Sequence, residues 1–204
     1  KARQAKNEIP AGAIVVRSIV SSPLADQIAK NYGVEMKTVL TGFKYVGGEI
    51  LKLEEKGLEK LYMFGYEESC GYLKGTYARD KDAIVATILV CELAASAKAK
   101  GLTILDVLDE IYNTYGMYLS HVQSVELTGS DAMEKAAKIM ADLRQSIPQT
   151  IGGAKVTVVR DYRSGISREL SNDKETAIDL PRSNVLEFIL GQQGSVIVRR
   201  SGTE

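Results

Sequence analysis

An α/β layer followed by a smaller α+β unit is the fold class that this sequence predicts, on three observations. Short β-branched runs alternate with helix-length segments from Ile14 to Gly116, the pattern of strands joined through helices in a mostly parallel or mixed sheet. Beyond Tyr118 the rhythm changes to one helix and several strand-like stretches. Glycine or proline stands at most junctions, so the periodic segments are bounded.

Taken in order, Ile14 to Val20 is a β-branched run ending at Ser21-Ser22-Pro23, where a serine cap and a proline in the first turn start a helix that stops at Gly33. Val34 to Leu40 reads as a strand, Gly48 to Lys56 as a helix with Gly57 beyond its end, and Lys60 to Phe64 as a short apolar strand. After a loop around Glu67, Asp80 is placed to cap a long helix reaching about Lys100, with Gly101 as its stop. Thr103 starts another helix, ending near Gly116. In the second unit Val122 to Leu127 is a strand candidate, and a helix follows from Ser130 or Asp131 to about Gln145. Pro148 and Gly152-Gly153 then break the chain. Lys155 to Tyr162 alternates like a strand, and Val185 to Leu190 with Ser195 to Arg200 flank Gly191-Gln192-Gln193-Gly194 as a hairpin. The boundary falls near residues 117 to 122, giving units of 1–118 and 119–204.

With 204 residues, 45% of them hydrophobic, the chain has material for one or two cores. Basic and acidic residues balance at 26 each, so no overall field draws nucleic acid or an anionic membrane, and any affinity for phosphate is local. Cys70 and Cys91 lack a metal-like spacing, and neither a signal peptide nor a run of about 18 apolar residues is evident, which makes a reducing cytoplasm the expected compartment. The chain starts at Lys1 rather than Met, and its last strand candidate stops without a closing element, so a fragment of a longer protein is expected.

Two motifs carry chemistry. Arg199-Arg200-Ser201-Gly202-Thr203-Glu204 packs a guanidinium, two hydroxyls and a glycine into one short turn, which suits a dianionic phosphate: a charged fork, hydroxyl donors, and backbone N–H groups that approach closely. Tyr66-Glu67-Glu68-Ser69-Cys70-Gly71 offers carboxylates and a hydroxyl beside a glycine, the groups that bind sugar hydroxyls. Together they point to a phosphosugar. Each also has a plain structural reading: Glu67 and Glu68 as a solvated loop pair, Ser201-Gly202-Thr203 as an ordinary turn, Arg79-Asp80-Lys81-Asp82 as a helix-capping cluster, and Lys44 as a surface lysine. His121, the sole histidine, is given a structural role, and Cys70 that of an inert buried thiol because no histidine is near it in sequence.

The combination of Leu40-Thr41-Gly42-Phe43-Lys44-Tyr45, Phe64-Gly65-Tyr66-Glu67-Glu68-Ser69-Cys70-Gly71, Arg79-Asp80-Lys81-Asp82 and Arg199-Arg200-Ser201-Gly202-Thr203-Glu204 resembles the α-D-phosphohexomutase superfamily, specifically phosphoglucomutase/phosphomannomutase. The likeness spans nearly the whole chain in the family's order and covers the third domain and most of the fourth. It implies a Rossmann-like α/β domain followed by a TATA-binding-protein-like domain. The family's phosphoserine segment and aspartate-rich magnesium loop belong to the first two domains and have no counterpart here, so the resemblance implies Mg2+ in the full-length enzyme, bound outside this chain.

Residue by residue, the resemblance implies that Glu67 and Ser69 hold adjacent sugar hydroxyls and so accept the substrate in either of two orientations. It implies that Arg199, Ser201, Gly202 and Thr203 clamp the phosphate not undergoing transfer, that Lys81 stands near the transferring phosphate as a candidate assisting residue, and that Lys44 lies in a loop facing the site. Arg200 departs from the family, in which proline is usual between that arginine and serine. No catalytic nucleophile is expected within the chain. The implied reaction moves a phosphoryl group between C1 and C6 of a hexose through a bisphosphorylated intermediate, which depends on positioning and on neutralising charge. Its implied partners are a hexose phosphate and the remaining domains of the same protein, with no nucleic acid and no membrane. A phosphopentomutase-type member and a stand-alone sugar-phosphate-binding module without chemistry are the alternatives, and the chain alone is expected to be inactive.

Overall fold

β-Branched runs that pair in parallel need helical crossovers to cover them, and the first stretch of chain meets that need. In the computed structural model, which describes residues 2–200, the elements up to the middle of the chain are α1 (Ala2–Ala5), β1 (Ile14–Ser18), α2 (Leu24–Asn31), β2 (Glu35–Val39), α3 (Phe43–Glu54), a 3-10 turn (Glu59–Leu61), β3 (Tyr62–Glu67), β4 (Gly71–Leu73), α4 (Ala83–Lys98) and α5 (Ile104–Tyr115). The chain divides into two compact units, Lys1–His121 and Val122–Glu204.

In the first unit the strand order is β2-β1-β3-β4, with β1 parallel to β2 and β3, and β4 antiparallel to β3. Since β1 has β2 on one side and β3 on the other, right-handed crossovers carry α2 and α3 to opposite faces of the sheet. The core is Ile14, Val16, Val39, Phe43, Val46, Ile50, Tyr62 and Leu73. A bulge between Ile14 and Val15 sets what that core contains: Ile14 pairs with Tyr62, whereas Val15 pairs with Phe64 and Val16 with Gly65. The extra residue reverses the alternation, so Tyr62 and Gly65 both turn toward α3. The bare Cα of Gly65 leaves room for the Tyr62 hydroxyl and for Val46.

Three expectations change here. Helix α3 begins at Phe43, well before Gly48, because Gly47 is the place where the Arg79 backbone crosses the helix and is not a breaker. A Cβ on Gly47 would stand 2.9 Å from the Arg79 carbonyl oxygen. Helix α4 is capped by Asp82 instead of Asp80: the Asp82 carboxylate accepts the N–H groups of Ile84 and Val85 at 2.7 and 3.1 Å, while Asp80 accepts the N–H of Lys81 at 2.8 Å. The Tyr77 hydroxyl also donates to Asp82 and, with those N–H bonds, holds its carboxyl below the ordinary range. Glu67 is the last residue of a strand that returns through β4, so it does not stand in a loop.

The second unit holds α6 (Ala132–Gln145), β5 (Thr150–Ile151), β6 (Ala154–Lys155), β7 (Val158–Asp161), β8 (Ile166–Glu169), β9 (Glu175–Ala177), β10 (Val185–Ile189) and β11 (Ser195–Arg199). A five-stranded antiparallel sheet runs β11-β10-β7-β8-β9. Val156, Val159, Leu186 and Phe188 pack with Met140 of α6 to form its core. Val122 to Leu127, expected as a strand, has no regular structure, since no neighbouring strand takes up its backbone. Among the described residues no helix is long and apolar enough to cross a membrane.

Gly65→Ala is expected to lower stability by about 1–3 kcal/mol, because its Cβ would lie 2.5 Å from Val46 Cγ1 inside the core. Urea unfolding followed by far-ultraviolet circular dichroism measures it. An unchanged midpoint would show that the sheet and α3 do not approach this closely.

Candidate functional site

Parallel strands deliver their following loops to one edge, and here three of them deliver polar groups. β1 ends at Ser18 and β3 at Glu67, while the Thr41-Gly42 pair follows β2. Glu67 is buried, at 3% exposure, and its carboxylate is satisfied by groups from three separate segments. The Gly42 N–H donates to Oε2 at 3.1 Å, the Ser69 hydroxyl donates to Oε1 at 3.2 Å, and Lys81 Nζ stands 3.6 Å from Oε1. A carboxylate taken out of water needs such partners, so the charge of Glu67 ties the start of α3, the β3–β4 turn and the approach to α4 together.

A second network holds the neighbouring carboxylate. Ser18, almost fully buried, donates its hydroxyl to Glu68 Oε2 at 2.8 Å and shares a 2.9 Å hydrogen bond with the Ser21 hydroxyl. Arg17 lies beneath this turn. Its fork grips Asp26 through Nε and Nη2 at 2.6 and 2.7 Å, and Nη1 donates to the carbonyls of Ser18 and Ser21 at 3.0 and 3.1 Å. Sequence reasoning did not single out Arg17, Ser18, Ser21 or Asp26. The signal available was an arginine at the end of a β-branched run followed by Ser-x-x-Ser-Ser-Pro. Beside Arg17, burial pushes the Tyr66 phenol up to about 12 against the opposing pull of the guanidinium. The Thr41 hydroxyl, one residue before Gly42, is buried without a partner among the described residues.

Within the first unit the structure brings Glu67, Ser69 and Lys81 together. Lys44 stands in the first turn of α3, a correction to its expected loop position, with Nζ 5.1 Å over the ring of Tyr45, and it is not among the groups bonded to Glu67. Arg199 ends β11 opposite Val185 and is exposed; Ser201, Gly202 and Thr203 lie outside the described residues. Cys70, expected to be buried, is exposed at a positive φ of 56° on the tip of the β3–β4 turn, where the tight reversal turns its side chain outward. His121 is exposed in the irregular segment after α5. Among the described residues no three His, Cys, Asp or Glu side chains gather as a metal site, so the residues present do not fit a magnesium ion.

A polar cluster at the carboxyl ends of parallel strands, backed by helices on both faces of the sheet, defines an α/β domain of the open-sheet class. The chain belongs to the phosphoglucomutase/phosphomannomutase family: the family model for its alpha/beta/alpha domain III matches residues 1–115. It is 37% identical over 191 residues to a phosphoglucomutase of Staphylococcus aureus, covering 94% of this chain and 34% of that protein. A phosphoglucomutase of Staphylococcus haemolyticus is 36% identical over 196 residues, with 96% and 35% covered. The chain thus spans about a third of the length of these relatives. Its fold is that of a crystal structure from Paramecium, the open form of the exocytosis-sensitive phosphoprotein pp63/parafusin, a phosphoglucomutase, with a TM-score of 0.57, 21% identity, and coverage of 93% of this chain and 30% of that one.

Ser18→Ala removes the hydroxyl that joins Glu68 to Ser21 and is expected to lower stability by about 1–3 kcal/mol, as for other buried hydrogen bonds left half-made. Equal urea midpoints for the two proteins would mean that the turn does not depend on it. The tyrosines set an alkaline limit. Burial raises the Tyr66 phenol from 10.0 to about 12, so between those values the unfolded chain has lost a proton that the folded chain keeps. Stability supplied by Tyr66 is therefore complete below pH about 10 and falls as pH rises toward 12, with Tyr62 and Tyr162, raised further by burial, acting in the same direction. Phenolate absorbance and circular dichroism recorded together across this range are expected to show ionisation of these tyrosines accompanying unfolding.

Proposed function

We propose that this chain is the sugar-positioning part of a phosphohexomutase that interconverts hexose 1-phosphate and hexose 6-phosphate through a hexose bisphosphate. The observation that carries this reading is the convergence of Glu67, Ser69 and Lys81 at the carboxyl edge of the parallel strands, in a chain of this family. A carboxylate offers about four lone-pair sites, and the Gly42 N–H, the Ser69 hydroxyl and the Lys81 ammonium engage three, so one remains for a sugar hydroxyl. Ser69 is exposed, and with its hydrogen given to Glu67 its hydroxyl oxygen is left to accept from the adjacent sugar hydroxyl. Lys81, about half exposed, extends its charge beyond Glu67 toward a bound phosphate.

Adjacent hydroxyls look alike from either direction along the sugar, so a site that grips them accepts the ring in both orientations that two successive transfers require. In this reading Arg199, with Ser201, Gly202 and Thr203, holds the phosphate that is not being transferred, and Lys44 is a peripheral cation. The phosphoryl donor belongs to polypeptide outside this chain. It passes its phosphoryl group to the free hydroxyl of the hexose phosphate, the bisphosphate turns over, and the other phosphoryl group returns to the donor. The described residues do not fit magnesium, and no step here is routed through a metal. What this chain supplies is orientation, whose contribution to such a reaction is large.

Because Glu67 also holds the fold, the test uses variants that keep its shape. Ser69→Ala and Glu67→Gln in the complete gene product are expected to lower kcat/KM for glucose 1-phosphate by about tenfold to a hundredfold, equivalent to one lost hydrogen bond to a charged group. Their thermal midpoints should shift far less than that of Glu67→Ala, which strands the Gly42 N–H and Lys81. Unchanged kinetics in both variants would sink the sugar-binding reading. Arg199→Lys keeps the charge but loses the planar fork, so KM should rise for sugar phosphates while the fold is untouched. Kinetics equal to wild type would return Arg199 to the status of a surface charge.

A further inference from the structure

The core of the second unit occupies only part of its five-stranded sheet. Met140 of α6 packs with Val159 of β7 and with Leu186 and Phe188 of β10. Residues directly opposite on antiparallel strands share a face, so this face continues onto β8 and β9: Ile166 lies opposite Asp161, Arg168 opposite Val159, and Glu175 opposite Arg168. Beside the end of α6 it opens into a cleft of about 180 Å³. The apolar lining comes from Leu186 and Val159, at 1% and 5% exposure, and from Ile147 and Ile166. Two of the charged residues that line the cleft, Arg144 and Asp161, satisfy each other through hydrogen bonds of 3.1 and 3.2 Å. The other two, Arg168 and Glu175, do not. They face one another across β8 and β9, where unlike charges ordinarily pair, yet neither side chain has a hydrogen bond or ion pair among the described residues. Arg168 is partly buried, so its guanidinium gives up hydration without an acceptor in return.

Size and charge together define what fits. A cleft of about 180 Å³ falls below the pockets of roughly 300–1,000 Å³ that take drug-sized molecules, and just above a cavity of about 150 Å³ that takes benzene. Its ligand therefore has on the order of ten non-hydrogen atoms, which excludes a hexose phosphate. A simple anion bound to Arg168 would set another negative charge beside Asp161 and Glu175, and a simple cation on Glu175 would set a positive one beside Arg144 and Arg168. A dipolar ligand meets both unpaired groups at once and leaves the cleft neutral. The carboxylate of a free amino acid suits the planar fork of Arg168, its ammonium suits Glu175, and a branched hydrocarbon side chain covers Leu186 and Ile166.

We propose that this cleft is a binding site for a free aliphatic α-amino acid, held between Arg168 and Glu175 with its side chain on the apolar lining. The site belongs to the second unit and needs nothing from the Glu67 cluster. L-leucine titrated calorimetrically into the complete gene product should bind with a Kd of about 1 mM or tighter. Isovalerate, which keeps the carboxylate and the hydrocarbon, and isoamylamine, which keeps the ammonium and the hydrocarbon, should each bind at least about tenfold more weakly, as for one lost charged hydrogen bond. Arg168→Gln and Glu175→Gln should each weaken leucine binding by about the same factor, and their thermal midpoints should stay near that of the unmodified protein because neither side chain has a partner to lose. The ligand series is read on the unmodified protein, so it decides even where a variant folds poorly. No heat of binding at about ten times the expected Kd would overturn the proposal. So would isovalerate or isoamylamine binding as tightly as leucine, which would make this a site for a simple ion, or leucine affinity unchanged in both well-folded variants, which would put the bound leucine elsewhere.

Discussion

The buried charge of Glu67 is the constraint on which the first unit turns. A carboxylate at 3% exposure is tolerable only with donors around it, and the donors come from places far apart in sequence: Gly42 before α3, Ser69 in the β3–β4 turn, and Lys81 ahead of α4. Satisfying one group therefore fixes three loops with respect to one another. That is how a site made of loops acquires the precision of a site made of strands.

The register of the sheet makes this possible. The bulge beside Ile14 turns Gly65 and, two residues on, Glu67 toward the side where α3 starts. Without the extra residue in β3 the alternation would send Glu67 to the opposite face, away from Gly42. On the far side of the same edge, Arg17 braces the turn after β1 and Ser18 holds Glu68, so the two adjacent glutamates are anchored in different directions. Ser69 and Cys70, which follow them, are left exposed.

The second unit solves a similar problem with different parts. Glu187 is buried in the middle of β10, where the Tyr162 hydroxyl donates to it at 2.8 Å and Arg160 at 3.2 Å from the neighbouring strand. There the partners lie on adjacent elements of one sheet, and the result is a braced core with no loops drawn in. Arg144 of α6 grips Asp161 at 3.1 and 3.2 Å and ties the helix to the same sheet. Buried carboxylates thus serve both units, and among the described residues that of Glu67 gathers three separate segments at the carboxyl edge of the parallel strands.

Much of this was legible in the sequence, for local reasons. The alternation of apolar runs and helices, the helix start at Thr103, and the hairpin from Val185 to Arg199 depend on residues close together in the chain, so composition and spacing reveal them. The polar motif around Glu67 was legible as well, because carboxylates and a hydroxyl beside glycine are unusual in an apolar setting. Tertiary structure alone decided the rest. Whether Gly47 breaks a helix or admits the Arg79 backbone, whether Asp80 or Asp82 caps α4, and whether Val122 to Leu127 finds a strand to pair with all depend on what arrives from elsewhere in the chain. The same holds for Glu67, whose burial and partners come from positions 25 residues upstream and 14 downstream, a convergence that no local pattern encodes.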